Sequence, residues 1–386
     1  MLTKLRLINF KSYINKDISI APLTVLAGLN SAGKSTIIQS ILLLRQSYEH
    51  DSSMKTLMLN GRYTQLGSYR DVHSRSVGED DARVGIGIMD SAASRMRVWS
   101  YQLDRFRNME TSEASVLSAA RGNAAHAIGN VFDDSFEFIG ADRMGPSVIQ
   151  QQSFENTRER GQLGVRGEYC YDYLRVHGDD EIDDIKRHEG ARDLTLAELT
   201  DAWMGEISPG VSISSKSIEY TQNILPRIVT HGVDSDSPLN VGFGISYTLP
   251  IVIALLKAKQ GSLVILENPE AHIHPRGQRQ LGELIARTVA AGAQVIVETH
   301  SDHVLNGIRL AVKGGLLKPK QVGLTFVEKH LAPVPRKGAS KDQWDLDKAW
   351  QSVITEVHVQ PDGSLDQWPD GFFDEWNSAL RELLRR

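Results

Sequence analysis

One cysteine, Cys170, stands in 386 residues, so no disulfide closes within the chain and no cysteine cluster holds zinc or an iron–sulfur centre. That economy fits a reducing compartment. Long apolar runs are missing too. The longest, residues 249–256, falls far short of the roughly 20 residues a spanning helix needs. Residues 1–10 place Lys4 and Arg6 inside an alternating pattern and contain no signal core. The expectation is a soluble, cytoplasmic protein without membrane contact. Charge of one sign is also lacking: the net charge of −5 lends DNA binding no support, although a local basic groove stays compatible with it. No heptad repeat is long enough for a coiled-coil arm. No Asn-Lys-x-Asp guanine motif follows a strand at a suitable place, since Asn15-Lys16-Asp17 comes too early.

What is present is concentrated in one stretch. Gly28-Leu29-Asn30-Ser31-Ala32-Gly33-Lys34-Ser35 fits the phosphate-loop pattern G-x-x-x-x-G-K-[ST] at every fixed position. Residues 23–27 read as a buried strand before it and residues 35–44 as a helix after it. Backbone N–H groups of Asn30, Ser31, Ala32, Gly33, Lys34, Ser35 and Thr36 converge on phosphate at a helix N-terminus. Lys34 reaches the β- and γ-phosphates, and Ser35 holds Mg²⁺ through its hydroxyl. The ligand expected is therefore a nucleoside triphosphate with Mg²⁺.

Around this loop the chain alternates strands and helices. Residues 2–10 and 14–20 read as strands, as do 84–89 and 96–103, so the opening is β-rich. Phe10 and Tyr13 stand at a strand end where an aromatic can either stack on a base or pack in the core. Residues 111–128 are alanine-rich and read as a helix, residues 136–141 as a strand, and residues 150–167 as a mobile polar loop. Residues 194–203 read as a helix and 211–220 as a strand. The acidic stretch 178–192 reads as a solvated face.

Beyond Pro238 come Gly242, Gly244 and Ser246 before an apolar helix at 248–257. A buried strand at 262–266 ends in Glu267-Asn268-Pro269-Glu270-Ala271-His272-Ile273-His274-Pro275. After an amphipathic helix at 278–290, a further strand at 294–297 ends in Glu298-Thr299-His300-Ser301. Parallel strands deliver such ends to one edge of a sheet, where ligands bind. Glu270, His272 and His274 resemble zinc ligands in spacing, but no third histidine or cysteine stands at useful spacing.

In its order of motifs the chain resembles the ABC-type ATPase heads of the chromosome-maintenance, break-repair and RecF group. It resembles more closely the bacterial AAA15 or OLD-type ATPases with a DUF3696-type tail, including ATPase subunits of antiphage systems such as Septu. The residues carrying the closer likeness are Gly140-Ala141-Asp142-Arg143-Met144-Gly145-Pro146, the run from Glu270 to Pro275, and the ending from Asp362 to Glu375. The resemblance implies an α/β ABC-type P-loop head, a mixed central sheet with flanking helices, and an inserted, mostly helical lobe. The corresponding divisions are 1–110 and 203–330 for the two halves of the ATPase domain, 111–202 for the lobe, and 331–386 for the accessory segment. It implies ATP held between two copies of the chain, with Gly244 and Ser246 reaching the partner's γ-phosphate. It further implies His300 as the γ-phosphate switch, Glu267 as the Mg²⁺-supporting carboxylate and Gln65 as an Mg²⁺-sensing glutamine.

One departure matters most. Where the family pattern places the general base, this chain has Asn268, which accepts no proton. Losing a general base slows hydrolysis about 10²–10⁴-fold, unless Glu270 or His300 orients the water. The expected function is a slowly hydrolysing, dimerising ATPase that controls a separate effector, such as an HNH-type nuclease, in antiphage defence. The alternatives are an ATP-locked scaffold and a self-contained nuclease built on Glu328, Asp345 and Asp347. The tail reads as a strand at 356–359, a turn at 360–363, and Trp368, Phe372 and Phe373 anchoring a helix at 374–384.

Overall fold

Strand periodicity at the N-terminus becomes an antiparallel layer. In β1 (Leu2–Phe10) Leu5 and Leu7 face inward, while Arg6 faces out and pairs with Asp17 on β2 (Tyr13–Ser19). β3 (Leu23–Gly28) is buried on both faces and leads into α1 (Lys34–His50). Then follow β4 (Thr56–Met58), α2 (Tyr69–Val72), β5 (Arg83–Asp90), β6 (Arg97–Gln102) and β7 (Val116–Ala119). The first sheet has the order β2-β1-β5-β6-β7-β4. The computed structural model describes residues 1–77, 81–102, 116–119, 129–218, 221–230, 233–240, 242–333, 348–373, 380 and 382–384.

β8 (Phe136–Ile139) precedes β9 (Gln150–Gln151), α3 (Cys170–His177), α4 (Leu196–Ile207), β10 (Val211–Ser217), β11 (Asn223–Thr230) and β12 (Val233–Asp236). Strands β9 to β12 form a small antiparallel sheet. The last third holds α5 (Phe243–Lys257), β13 (Leu263–Glu267), α6 (Pro275–Ala290), β14 (Gln294–Glu298), α7 (Asp302–Lys313), β15 (Val322–Pro333) and β16 (Lys348–His358).

The central sheet runs β16-β15-β3-β14-β13-β8, parallel throughout except for β16. Parallel strands buried on both faces read as continuous apolar runs, which is why β3, β13 and β14 were legible. One face, with Leu26, Ile265 and Ile296, packs on α1 and the first sheet. The other, with Val25, Val264, Leu266 and Val297, packs on α3 to α7. The wide apolar circumference of α1 follows from its place between two sheets.

Two stretches differ from expectation. Residues 116–119, inside the stretch read as a helix, form β7, because pairing with β4 and β6 overrides local propensity. The rest of 111–128 lies outside the described residues. The polar stretch 150–167 is ordered instead of mobile. Ser153 caps a π-helical turn at Phe154–Glu159, and the buried Thr157 hydroxyl donates to the Ser153 carbonyl and Asp172. Asp345 and Asp347 lie outside the described residues. So does most of the helix expected at 374–384, of which residues 380 and 382–384 are described and helical.

Candidate nucleotide site

The phosphate loop leaves β3 at Gly28, whose φ of 136° and close approach to the Val327 carbonyl leave no room for a Cβ. Gly33, at φ 117°, meets the Ser352 hydroxyl in the same way. Ser352 Oγ donates to the Ala32 carbonyl at 2.5 Å and lies 2.6 Å from Ser12 Oγ, so β16 braces the loop from outside. Lys34 opens α1 almost fully buried. Its ammonium donates to the Gly28 and Leu29 carbonyls at 2.9 and 3.0 Å and lies 3.9 Å from a Glu298 oxygen. Burial lowers the Lys34 pKa, and Glu298 opposes that.

A cleft of about 480 Å³ opens over the loop. It is lined by Asn30, Ser31, Gly33, Lys34, Ser35, Thr36 and Gln39 on one side, and by Asn268, Glu298 and His300 on another. Lys11, Ser12 and Lys329 complete it.

The carboxylate that meets the loop is Glu298. Ser35 Oγ donates to both of its oxygens, at 3.1 and 3.2 Å. Burial, reinforced by the charge of Glu267, pushes Glu298 up to about 7, against the pull of Lys34 and Ser35. Glu267 ends the neighbouring strand in register with Glu298, and one of its oxygens accepts from the Ala141 amide at 3.2 Å. Burial raises its pKa as well. The family resemblance gave the metal to Glu267 and passed over Glu298, which likewise closes a buried parallel strand.

The segment after β8 supplies a second unforeseen part. Arg143, 1% exposed, donates to the carbonyls of Gly140, Glu267 and Asn268 at 3.1, 2.7 and 2.7 Å. Its guanidinium also sits over the Tyr247 ring, 5.2 Å from the centroid. The guanidinium fork thus fixes the end of β13 through backbone carbonyls. Asn268 itself has φ 44°, a region asparagine tolerates better than most residues, and its backbone N–H donates to the Glu298 carbonyl at 2.8 Å.

Glu270 is engaged through both oxygens, by the Thr299 hydroxyl at 2.7 Å and the His300 amide at 2.8 Å. It therefore orients His300, which borders the cleft. Burial and Lys34 lower the pKa of His300, favouring the neutral ring.

The remaining candidates fall elsewhere. Gly244 lets the start of α5 touch the His272 carbonyl, where a Cβ would collide. Ser246 is 5% exposed, its hydroxyl beside the Tyr171 phenol and turned into the protein. His272 packs edge-on against Tyr247, with centroids 4.9 Å apart, and His274 caps α6 by accepting from the Arg276 amide. Gln65 is exposed in a bridge with Asn60, outside the cleft lining. Phe10 and Tyr13 are core residues, 0% and 1% exposed, with the Tyr13 hydroxyl donating to the Gly33 carbonyl. Lys11, Ser12 and Lys329 were missed because each reaches the cleft from a turn or an adjoining strand distant in sequence.

These groups fit a magnesium nucleotide. The loop is shaped for phosphate, Lys34 is poised at its mouth, and Ser35 with Glu298 offers the few hard oxygens that phosphate-bound Mg²⁺ takes from protein.

Comparison with known proteins agrees. A family described as an AAA ATPase domain matches residues 1–191, and an AAA domain family bearing the AbiEii, type IV toxin–antitoxin description matches 177–306. A family described as a protein of unknown function, DUF3696, matches 346–383. The Old nuclease of Escherichia phage P2 is 21% identical over 340 residues, covering 79% of this chain and 57% of that protein. The chain thus spans little more than half the length of that relative. Among solved structures, the SMC head domain from Thermotoga maritima aligns with a TM-score of 0.41 and 14% identity over 93% of this chain and 99% of that one. The Smc head domain from Pyrococcus furiosus, with an extended coiled coil and bound to the C-terminal domain of ScpA, gives 0.48 and 12% over 99% of each. Two ATPase domain families thus run through the motifs of the cleft and the DUF3696 match follows them, and with the Old nuclease as a relative the chain resembles OLD-like P-loop ATPases that carry a DUF3696-type C-terminal segment.

Proposed function

We propose that the chain binds ATP with Mg²⁺, hydrolyses it slowly, dimerises around the nucleotide and thereby controls a separate effector, a nuclease of the HNH type, in antiphage defence. The observation that carries this reading is the contact of Ser35 and Lys34 with Glu298, a buried carboxylate delivered by the strand next to the phosphate loop. In it Lys34 and the loop amides hold the phosphates, while Ser35 and Glu298 hold the metal, with Glu267 behind them. Bound Mg²⁺ would neutralise phosphate charge. His300, oriented by Glu270, stands at the terminal phosphate. Asn268 can align a water through its amide but takes no proton from it, so turnover is slow.

Dimerisation is supported by the surface beside the start of α5, where Phe243 and Leu239 are 58% and 61% exposed. Large apolar side chains left exposed are a feature of contact surfaces. The inward turn of Ser246 means that, in this reading, the amides at the start of α5 make the contact across the dimer and the serine follows only if α5 shifts.

Single-turnover hydrolysis with Mg²⁺, using Lys34→Ala as the blank, tests the proposal. ATP consumed above the blank over minutes to hours supports a regulated ATPase. ATP that stays bound and intact replaces it with the nucleotide-locked scaffold that Asn268 also permits.

A further inference from the structure

Large apolar side chains next to a polar cleft need an explanation, and Trp350 and Leu331 are 63% and 53% exposed. They face each other across β15 and β16. β15 runs beside β3 until Val327 pairs with Gly28, then continues to Pro333 with β16 alongside. The paired arm therefore rises past the sheet edge on the ligand side.

Which face of the arm looks at the cleft is settled by the rung below. Lys329 pairs with Ser352; Lys329 lines the cleft and Ser352 donates to the loop at Ala32. Strand alternation puts Leu331 and Trp350 on that same face, about 7 Å further out.

The direction of a bound nucleotide follows from the other side of the sheet. Glu298, Glu267 and His300, which mark the metal and terminal-phosphate end, all come from β14 and β13, to one side of β3. With the phosphates on the loop, the nucleoside leaves over the opposite side, where the arm stands. Among the described residues that line the cleft the only ring is His300, at the phosphate end, and Phe10 and Tyr13 are buried.

We propose that the Leu331–Trp350 pair is the platform on which the purine base of the bound nucleotide stacks, an assignment that rests on the nucleotide-binding reading above. The indole supplies the flat face and Leu331 its apolar flank. Lys329 lies between platform and loop, beside the path of the phosphates. Stacking of this kind recognises an aromatic base without reading its hydrogen-bonding edge.

The test is calorimetric titration of the full chain, as wild type, Trp350→Ala and Trp350→Phe, with Mg·ATP and with Mg·tripolyphosphate, which has no base. The expected result is ATP affinity about tenfold weaker in Trp350→Ala and largely restored in Trp350→Phe. Tripolyphosphate affinity should be the same in all three. ATP affinity unchanged in Trp350→Ala overturns the proposal, as does an equal loss for both ligands. Wild type that binds tripolyphosphate as tightly as ATP also overturns it, while leaving the phosphate site standing. Wild type that binds neither ligand refutes nucleotide binding itself, and the platform with it.

Discussion

Glu298 and Glu267 close neighbouring strands in register, yet only Glu298 touches Ser35. Their isosteric variants should differ accordingly. Glu298→Gln is expected to weaken the Mg²⁺ dependence of ATP binding by about 10- to 100-fold, with Glu267→Gln having the smaller effect. A Mg²⁺ titration of ATP binding checks the ranking, and the reverse order would return the metal to Glu267. The phosphate loop was legible because its ligands are consecutive and carry their own geometry. Glu298 was not, because a glutamate before Thr-His-Ser acquires meaning only when β14 is known to lie between β3 and β13. Arg143 was quoted for family likeness, but its work is done on carbonyls, which leave no trace in sequence.

At the scale of elements, the far end of α5 is held by a buried lysine. The Lys186 ammonium donates to the carbonyls of Leu255, Leu256 and Ala258, where the helix presents its negative end. Burial nevertheless pulls its pKa down to about 7, against the opposing charge of Asp183. Between that value and the ordinary 10.5 the unfolded chain binds more protons than the folded one, so this group makes stability rise with pH across the window. Urea midpoints at about pH 7 and pH 9 should show the rise in wild type and a flatter profile in Lys186→Met. If both proteins rise alike, Lys186 is not the group responsible. The hairpin of β15 and β16 shows where periodicity fails as a guide. In β15 the apolar run ends at Val327, where Glu328, Lys329 and His330 follow, and there the strand leaves the core and becomes the arm. Its partner was read only from residue 356, because exposed and half-buried positions with the buried Ser352 among them break the apolar alternation over residues 348–355.

At the scale of the molecule, the two chain ends are woven through one another. The Leu2 amide donates to Gln294 and the Gln294 side chain donates back to the Leu2 carbonyl, at 2.9 and 2.6 Å. The Ser352 amide donates to the Ser12 carbonyl, and Phe372, fully buried, packs edge-on against Phe326 at 5.4 Å. The segment matched by the DUF3696 family therefore completes the ATPase core instead of hanging from it. Removing residues 348–386 strips β16 from β15 and uncovers Phe326, and loss of a buried aromatic alone costs about 3–5 kcal/mol. The truncated chain is expected to be insoluble or molten by near-ultraviolet circular dichroism and thermal melting. A truncated chain that melts like the parent would show the segment to be dispensable.

Gly28 carries a warning for whoever makes the variants. It opens the nucleotide motif, yet what forbids a side chain there is the Val327 carbonyl of the adjacent strand, a neighbour present with or without ligand. An alanine at that position pries β15 away from β3 and moves the arm and the loop together. Failure of such a mutant to bind ATP would thus be a statement about scaffolding, and Lys34→Ala, which brings no atom against the Val327 carbonyl, is the cleaner control.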